Sequence, residues 1–125
     1  MSFDPWEQAR TIPGLTVRVT RLPDLLYGCT DGTCIYLDDR LTETELRCTL
    51  THELVHLASG HADCQPPPEE RRVRRHTARL LIPSARLYDV SRWTACIHEA
   101  AEELNVTVGV LKDRLDHPTA RNHHD

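Results

Sequence analysis

Thr42-Glu43-Thr44-Glu45-Leu46-Arg47-Cys48-Thr49-Leu50-Thr51-His52-Glu53-Leu54-Val55-His56-Leu57-Ala58-Ser59 carries two patterns at once. Leu46, Leu50, Leu54 and Leu57 recur at spacings of four, four and three, the period of a helix with one apolar face. Thr42 and Glu45 form a capping pair at its start, and Gly60 is a stop signal just past its end. Within that helix lies His52-Glu53-Leu54-Val55-His56, an H-E-x-x-H arrangement. At about 100° per residue the two histidines fall within about 40° of each other, so both imidazoles can reach one ion. Glu53 lies about 60° from His56, near enough to act as acid or base without being a ligand. The leucines cluster about 120° to 200° from His52, so the histidine stripe borders the core face and the site is half-buried. The plainer alternative makes both histidines polar surface residues of an ordinary amphipathic helix.

The next helix supplies a candidate third donor. Pro66-Pro67-Pro68 fixes an extended entry into a helix read from Pro68 to Ile82, which Pro83 stops. With Glu70 at zero, Val73, Thr77, Ala78, Leu80 and Leu81 fall within about 80°, and Arg71, Arg72, Arg75 and Arg79 fall on the other side. Glu70 therefore points inward, where an ionised carboxylate needs a positive partner, and a divalent zinc is one. The simpler reading is that Glu69 and Glu70 occupy a first helical turn, where the macrodipole favours acids. Glu69, rotated about 100° away, competes for the ligand role. So do His61 and Cys64, spaced as H-x-x-C after the first helix.

Before the first helix, Val17-Arg18-Val19 alternates within Thr16 to Thr20, and Leu25 to Gly28 and Thr33 to Leu37 follow, the last after the turn Asp31-Gly32. These read as a small antiparallel or mixed sheet. Ser91 to Leu104 and Thr107 to Asp116 read as later helices, with Gly109 weakening the last. Strands first and helices after give an α+β class, with the helices packed on one side of the sheet. The expected partition is a single domain over 1–125. It divides into a lead-in (1–15), the sheet (16–41), metal-site helices (42–83), a C-terminal helical part (84–118) and a fraying tail (119–125). Trp6, Tyr36 and Trp93 read as core or sheet-packing aromatics, and the cysteines as small buried hydrophobes, Cys29 and Cys34 being near each other across a hairpin. His117, His123 and His124 are expected to stay solvated in the tail.

Composition narrows the function classes. The 125 residues are 39% hydrophobic and 27% charged, enough apolar material for a core and too much for a disordered tail. Fifteen Lys and Arg against nineteen Asp and Glu give a net charge of −4, so no uniform positive field favours nucleic acid. No apolar run approaches the length of a membrane span and no basic-then-apolar leader opens the chain. Five cysteines at irregular spacing suit reduced thiols, and a cytoplasmic protein is expected.

Thr49 through Leu57 with Gly60-His61, followed by Glu69-Glu70 through Ala78-Arg79-Leu80-Leu81-Ile82-Pro83, resembles the ImmA/IrrE metallopeptidases. These are small zincin-like proteins related to the gluzincins. The likeness covers most of the chain and extends to the strand Asp31 to Leu37 and the ending Ala100 to Leu115. It implies a minimal zincin-like fold with Zn2+ as the cofactor. By the same resemblance, His52, His56 and Glu70 are the protein ligands and Glu53 is the catalytic acid/base. It also implies a protein substrate, a helix-turn-helix repressor of a phage or mobile element. One position departs from the pattern: where the family often carries Asp or Asn four residues after the third ligand, this chain has Arg74. Arg74 is a candidate to neutralise Glu70 instead.

Three protein ligands leave a fourth position for water, whose proton Glu53 would accept during attack on a peptide carbonyl. Thr33 to Leu37 is the expected edge against which an extended substrate pairs. Tyr88, His76 and His98 are candidates to steady the oxyanion. Two rival readings stand beside this one. Ala100 to Leu115, as two helices about a turn, with the run Arg71 to Arg75, would suit a DNA-binding regulator, although Lys112 and Arg114 are offset by Asp113 and Asp116. A zinc-stabilised protein-interaction module without hydrolysis is the other.

Overall fold

A computed structural model describes residues 3–61 and 65–116. Cys64, the tail histidines and the segment 119–125 therefore lie outside the described residues. The described chain is α+β, a three-stranded sheet with six helices: α1 (Pro5–Arg10), β1 (Thr16–Thr20), β2 (Gly28–Thr30), β3 (Cys34–Asp38), α2 (Glu43–Ala58), α3 (Pro67–Leu81), α4 (Ser84–Ser91), α5 (Ile97–Leu104) and α6 (Val108–Leu115). Among the described residues no helix is long and apolar enough to cross a membrane.

The sheet has the order β1-β3-β2, with β1 parallel and β2 antiparallel to β3. Alternation marks strands but carries no direction, and the connection decides it. The segment after β1 crosses the C-terminal end of β3 before β2 begins, and that crossing is tied down. Asp38 accepts a hydrogen bond from the Leu22 amide at 2.9 Å and pairs with Arg40 at 2.8 Å. Arg40 in turn pairs with Asp24 and donates to the Leu22 carbonyl, each at 2.8 Å. The Asp38 amide donates to the Tyr27 carbonyl at 2.9 Å. Strand β3 is therefore the centre of the sheet, which removes Thr33 to Leu37 as the edge for a substrate; β2 is the edge next to the histidine helix. Cys29 pairs with Tyr36 and Cys34 with Thr16 on β1, so the two cysteines are diagonal neighbours across the β2–β3 hairpin and not a directly opposed pair.

Helix α2 forms as its pattern dictates. Thr42 accepts from the Glu45 amide while Glu45 accepts from the Thr42 amide, completing the capping box. Its leucines enter one of two cores: Leu50 and Leu54 pack with Ile35 and Leu37 of β3 and with Ala9 of α1. On the other side Cys48 joins Leu81, Ile82, Val90, Leu104 and Leu111 of the later helices. The H-E-x-x-H stripe therefore runs along a helix held from both sides, and such burial restrains side chains in single rotamers. Gly28 is what lets β2 approach: a Cβ there would stand 2.6 Å from Thr49 Cγ2.

The later helices differ from the sequence reading. The segment from Ser91 to Leu104 is not one helix; α4 ends at Ser91 and α5 begins at Ile97. Thr94 breaks it, its hydroxyl oxygen accepting from the Cys96 amide at 3.0 Å and its hydroxyl donating to Glu99 at 2.6 Å. Such local bonds compete with the helical ladder. Trp93 lies in the break and is 57% exposed, not in the core. Arg114 of α6 is buried, donating to the Ile82 carbonyl at 2.8 Å and to Ser84 at 2.9 Å, so it ties α6 to the α3–α4 junction.

Candidate metal centre

His52 and His56 stand one turn apart on α2, and Glu70 faces them from the first turn of α3. His52 Nε2 lies 2.7 Å from Glu70 Oε1, His56 Nε2 lies 3.2 Å from Glu70 Oε2, and the two Nε2 atoms are 3.2 Å apart. Three donors thus converge where one ion could hold them all. One ligand atom from each of the three residues lies within 4.8 Å of the others, a triangle compact enough to surround a single ion. Two imidazoles and one carboxylate also match the donor chemistry that zinc takes.

Glu69 is not part of that triangle. It pairs with Arg72 at 2.7 Å and approaches His61 Nε2 at 3.3 Å. His61 also stands outside it, against the opposite ring nitrogen of His56: the two Nδ1 atoms are 3.0 Å apart. Arg74 does not reach Glu70 as an ion pair but faces Asp113 on α6 at 3.8 Å.

Glu53 lines a cleft of about 350 Å3 together with the donor His52, and its walls also include Tyr27, Gly28, Thr49, Arg74 and Asp113. Among the described residues nothing hydrogen-bonds its carboxylate, and burial, helped by the charge of Glu70, pushes it up to about 7. Burial also holds His52 below its ordinary value, against the pull of Glu70, which keeps its imidazole neutral and its lone pair available. The neighbouring Cys29 thiol is pushed up by burial and by the charge of Glu53, so it stays protonated beside the cleft.

None of the three oxyanion candidates lines this cleft. Tyr88 belongs to a separate hollow with Arg79 and Leu115, and His76 and His98 are exposed on α3 and α5. The sequence reading missed Tyr27 and Asp113, which share the cleft wall with Arg74. Tyr27 comes through a loop that crosses the sheet, and Asp113 from a helix forty residues further along, so no local spacing marks either.

The family model of the IrrE N-terminal-like domain matches residues 14–116, from the lead-in to the end of α6. The chain belongs to that family, whose members are metallopeptidases. No curated protein and no solved structure matches the chain significantly.

Proposed function

We propose that the protein is a zinc-dependent endopeptidase that cuts a flexible segment of a protein substrate. The observation that carries this reading is the placement of Glu53, with no hydrogen-bond partner among the described residues, on a cleft wall shared with His52, beside three donors gathered for one ion. In this reading His52, His56 and Glu70 hold the metal and Glu53 is the catalytic residue. Bound zinc would supply Lewis acidity, polarising a peptide carbonyl and acidifying water at neutral pH. Glu53, raised to about 7 by its burial, is matched to taking a proton from the attacking water and returning it to the leaving amine. The proton count closes without a covalent intermediate.

Strand β2 is the proposed docking edge, since it has β3 on one side only and Tyr27 and Gly28 bring it to the cleft wall. An extended main chain laid beside β2 would pass Glu53, which suits a flexible segment and excludes a folded domain. The resemblance to ImmA/IrrE proteins supports a helix-turn-helix repressor of a phage or mobile element as the substrate, and a cytoplasmic place of action. DNA binding is disfavoured by the same structure: Arg72 is paired with Glu69, Arg74 faces Asp113 and Arg114 is buried in the fold. Glu53→Gln tests the proposal. Zinc content and fold should survive while cleavage of a candidate repressor disappears; persistent cleavage would exclude Glu53 as the acid/base.

A further inference from the structure

Helix α2 ends in a way that returns a third imidazole to the site. Gly60 adopts φ +80°, the His61 amide donates to the His56 carbonyl at 2.9 Å, and the Gly60 amide donates to the Leu57 carbonyl at 3.0 Å. This is a Schellman closure, and its last residue ordinarily lays an apolar side chain over the final helical turn. Here that residue is His61, and it lands on His56 with ring centroids 5.3 Å apart. His56 Nδ1 then faces His61 Nδ1 at 3.0 Å, and His61 Nε2 faces Glu69 Oε2 at 3.3 Å. His61 is itself sheltered, its side chain 12% exposed.

We infer that His61, backed by Glu69, is a positioning residue that fixes the ring angle and tautomer of His56 toward the three-donor centre. The inference rests on the proposed metal site. A His56 that offers Nε2 to a cation carries its proton on Nδ1, and that N–H donates to His61 Nδ1. His61 then carries its own proton on Nε2, aimed at the Glu69 carboxylate. Each group in the series has one consistent role, which ends at a charge able to orient the whole. Ligand histidines are commonly held in this way by a partner on the nitrogen facing away from the metal. It also accounts for both adjacent acids of α3: Glu70 meets the histidines directly, and Glu69 acts from behind.

The test uses the full chain with zinc, read by competition with a chromogenic chelator, beside cobalt-substituted protein read by its visible bands. His61→Ala is expected to weaken zinc about 10- to 100-fold and to alter the cobalt bands. His61→Asn, whose Oδ1 can stand where Nδ1 stood, is expected to restore most of both, and Glu69→Ala to loosen zinc by a smaller factor. Wild-type affinity with unaltered bands in His61→Ala would overturn the inference and leave the metal site standing. A loss that His61→Asn fails to restore would overturn it too, as a loss of helix-end structure. Equal zinc affinity in wild type and Glu70→Ala would overturn the metal site itself, and the inference with it.

Discussion

Asp38 at the end of β3 and Glu53 in the middle of α2 are both buried carboxylates, 4% and 7% exposed, in opposite surroundings. Asp38 is met by the Arg40 guanidinium and the Leu22 amide, which hold it down to about 2. Glu53 is met by no donor among the described residues, and burial raises it to about 7. The first arrangement spends a charge on structure: it locks the crossing that makes β1 parallel and presents Tyr27 to the cleft. The second leaves a proton-binding group at a cleft wall with no hydrogen-bond donor among the described residues, which folding alone does not require. The difference separates a carboxylate that holds the scaffold from one available for chemistry.

The largest effect expected from breaking this contrast is on Glu53. Its glutamine variant should lower peptide cleavage by about 100- to 10,000-fold, measured against a repressor or a peptide from one. The same variant should make the metal-free chain more stable at pH 8. Because the folded value of Glu53 is raised, its contribution is full below about 4.5 and is lost as pH rises through about 7. Removing the charge should recover up to about 3 kcal/mol, read by denaturant unfolding across pH. Asp38 has the reverse sign: its contribution is present above the ordinary carboxylate range and is lost as pH falls toward about 2. Asp38→Asn should therefore lower the melting temperature at neutral pH and flatten the acid limb of the stability profile. An unchanged acid limb would show that the crossing does not depend on this charge.

Gly28→Ala sharpens the comparison where scaffold meets cleft. The new methyl would stand 2.6 Å from Thr49 Cγ2 and 3.1 Å from the Tyr36 carbonyl, so a loss of about 1–3 kcal/mol is expected. Thr49→Ser in the same chain should recover part of it, measured by thermal unfolding of the two single variants and the double variant. The smallest effect is expected at Arg21, whose 2.8 Å bridge to Asp39 lies beside the Asp38 clamp but in solvent. Arg21→Ala should change stability by less than about 1 kcal/mol.

Legibility in the sequence followed the range of the interactions. His52, Glu53 and His56 could be placed on one stripe because helical periodicity is local, and Glu70 could be turned inward because flanking prolines bound its helix. Glu70 and Glu69 could not be separated by angle alone, since the distinction depends on how α3 packs on α2. The direction of β1 was hidden because it depends on Asp38 and Arg40 gripping residues sixteen to eighteen positions away. The break between α4 and α5 was hidden for a different reason: Val90, Ile97, Ala101 and Leu104 fit one helical period, and the turn at Thr94 within it carries no Gly or Pro to mark it. His61 was visible as a donor, but its place behind His56 follows from the left-handed turn at Gly60.

Metal content of the purified chain, compared with Glu70→Ala and Glu69→Ala at saturating zinc, tests the central claim most directly. The expected result is one zinc per chain in the wild type and in Glu69→Ala, and its loss in Glu70→Ala. Equal retention by both variants would contradict a centre built from His52, His56 and Glu70.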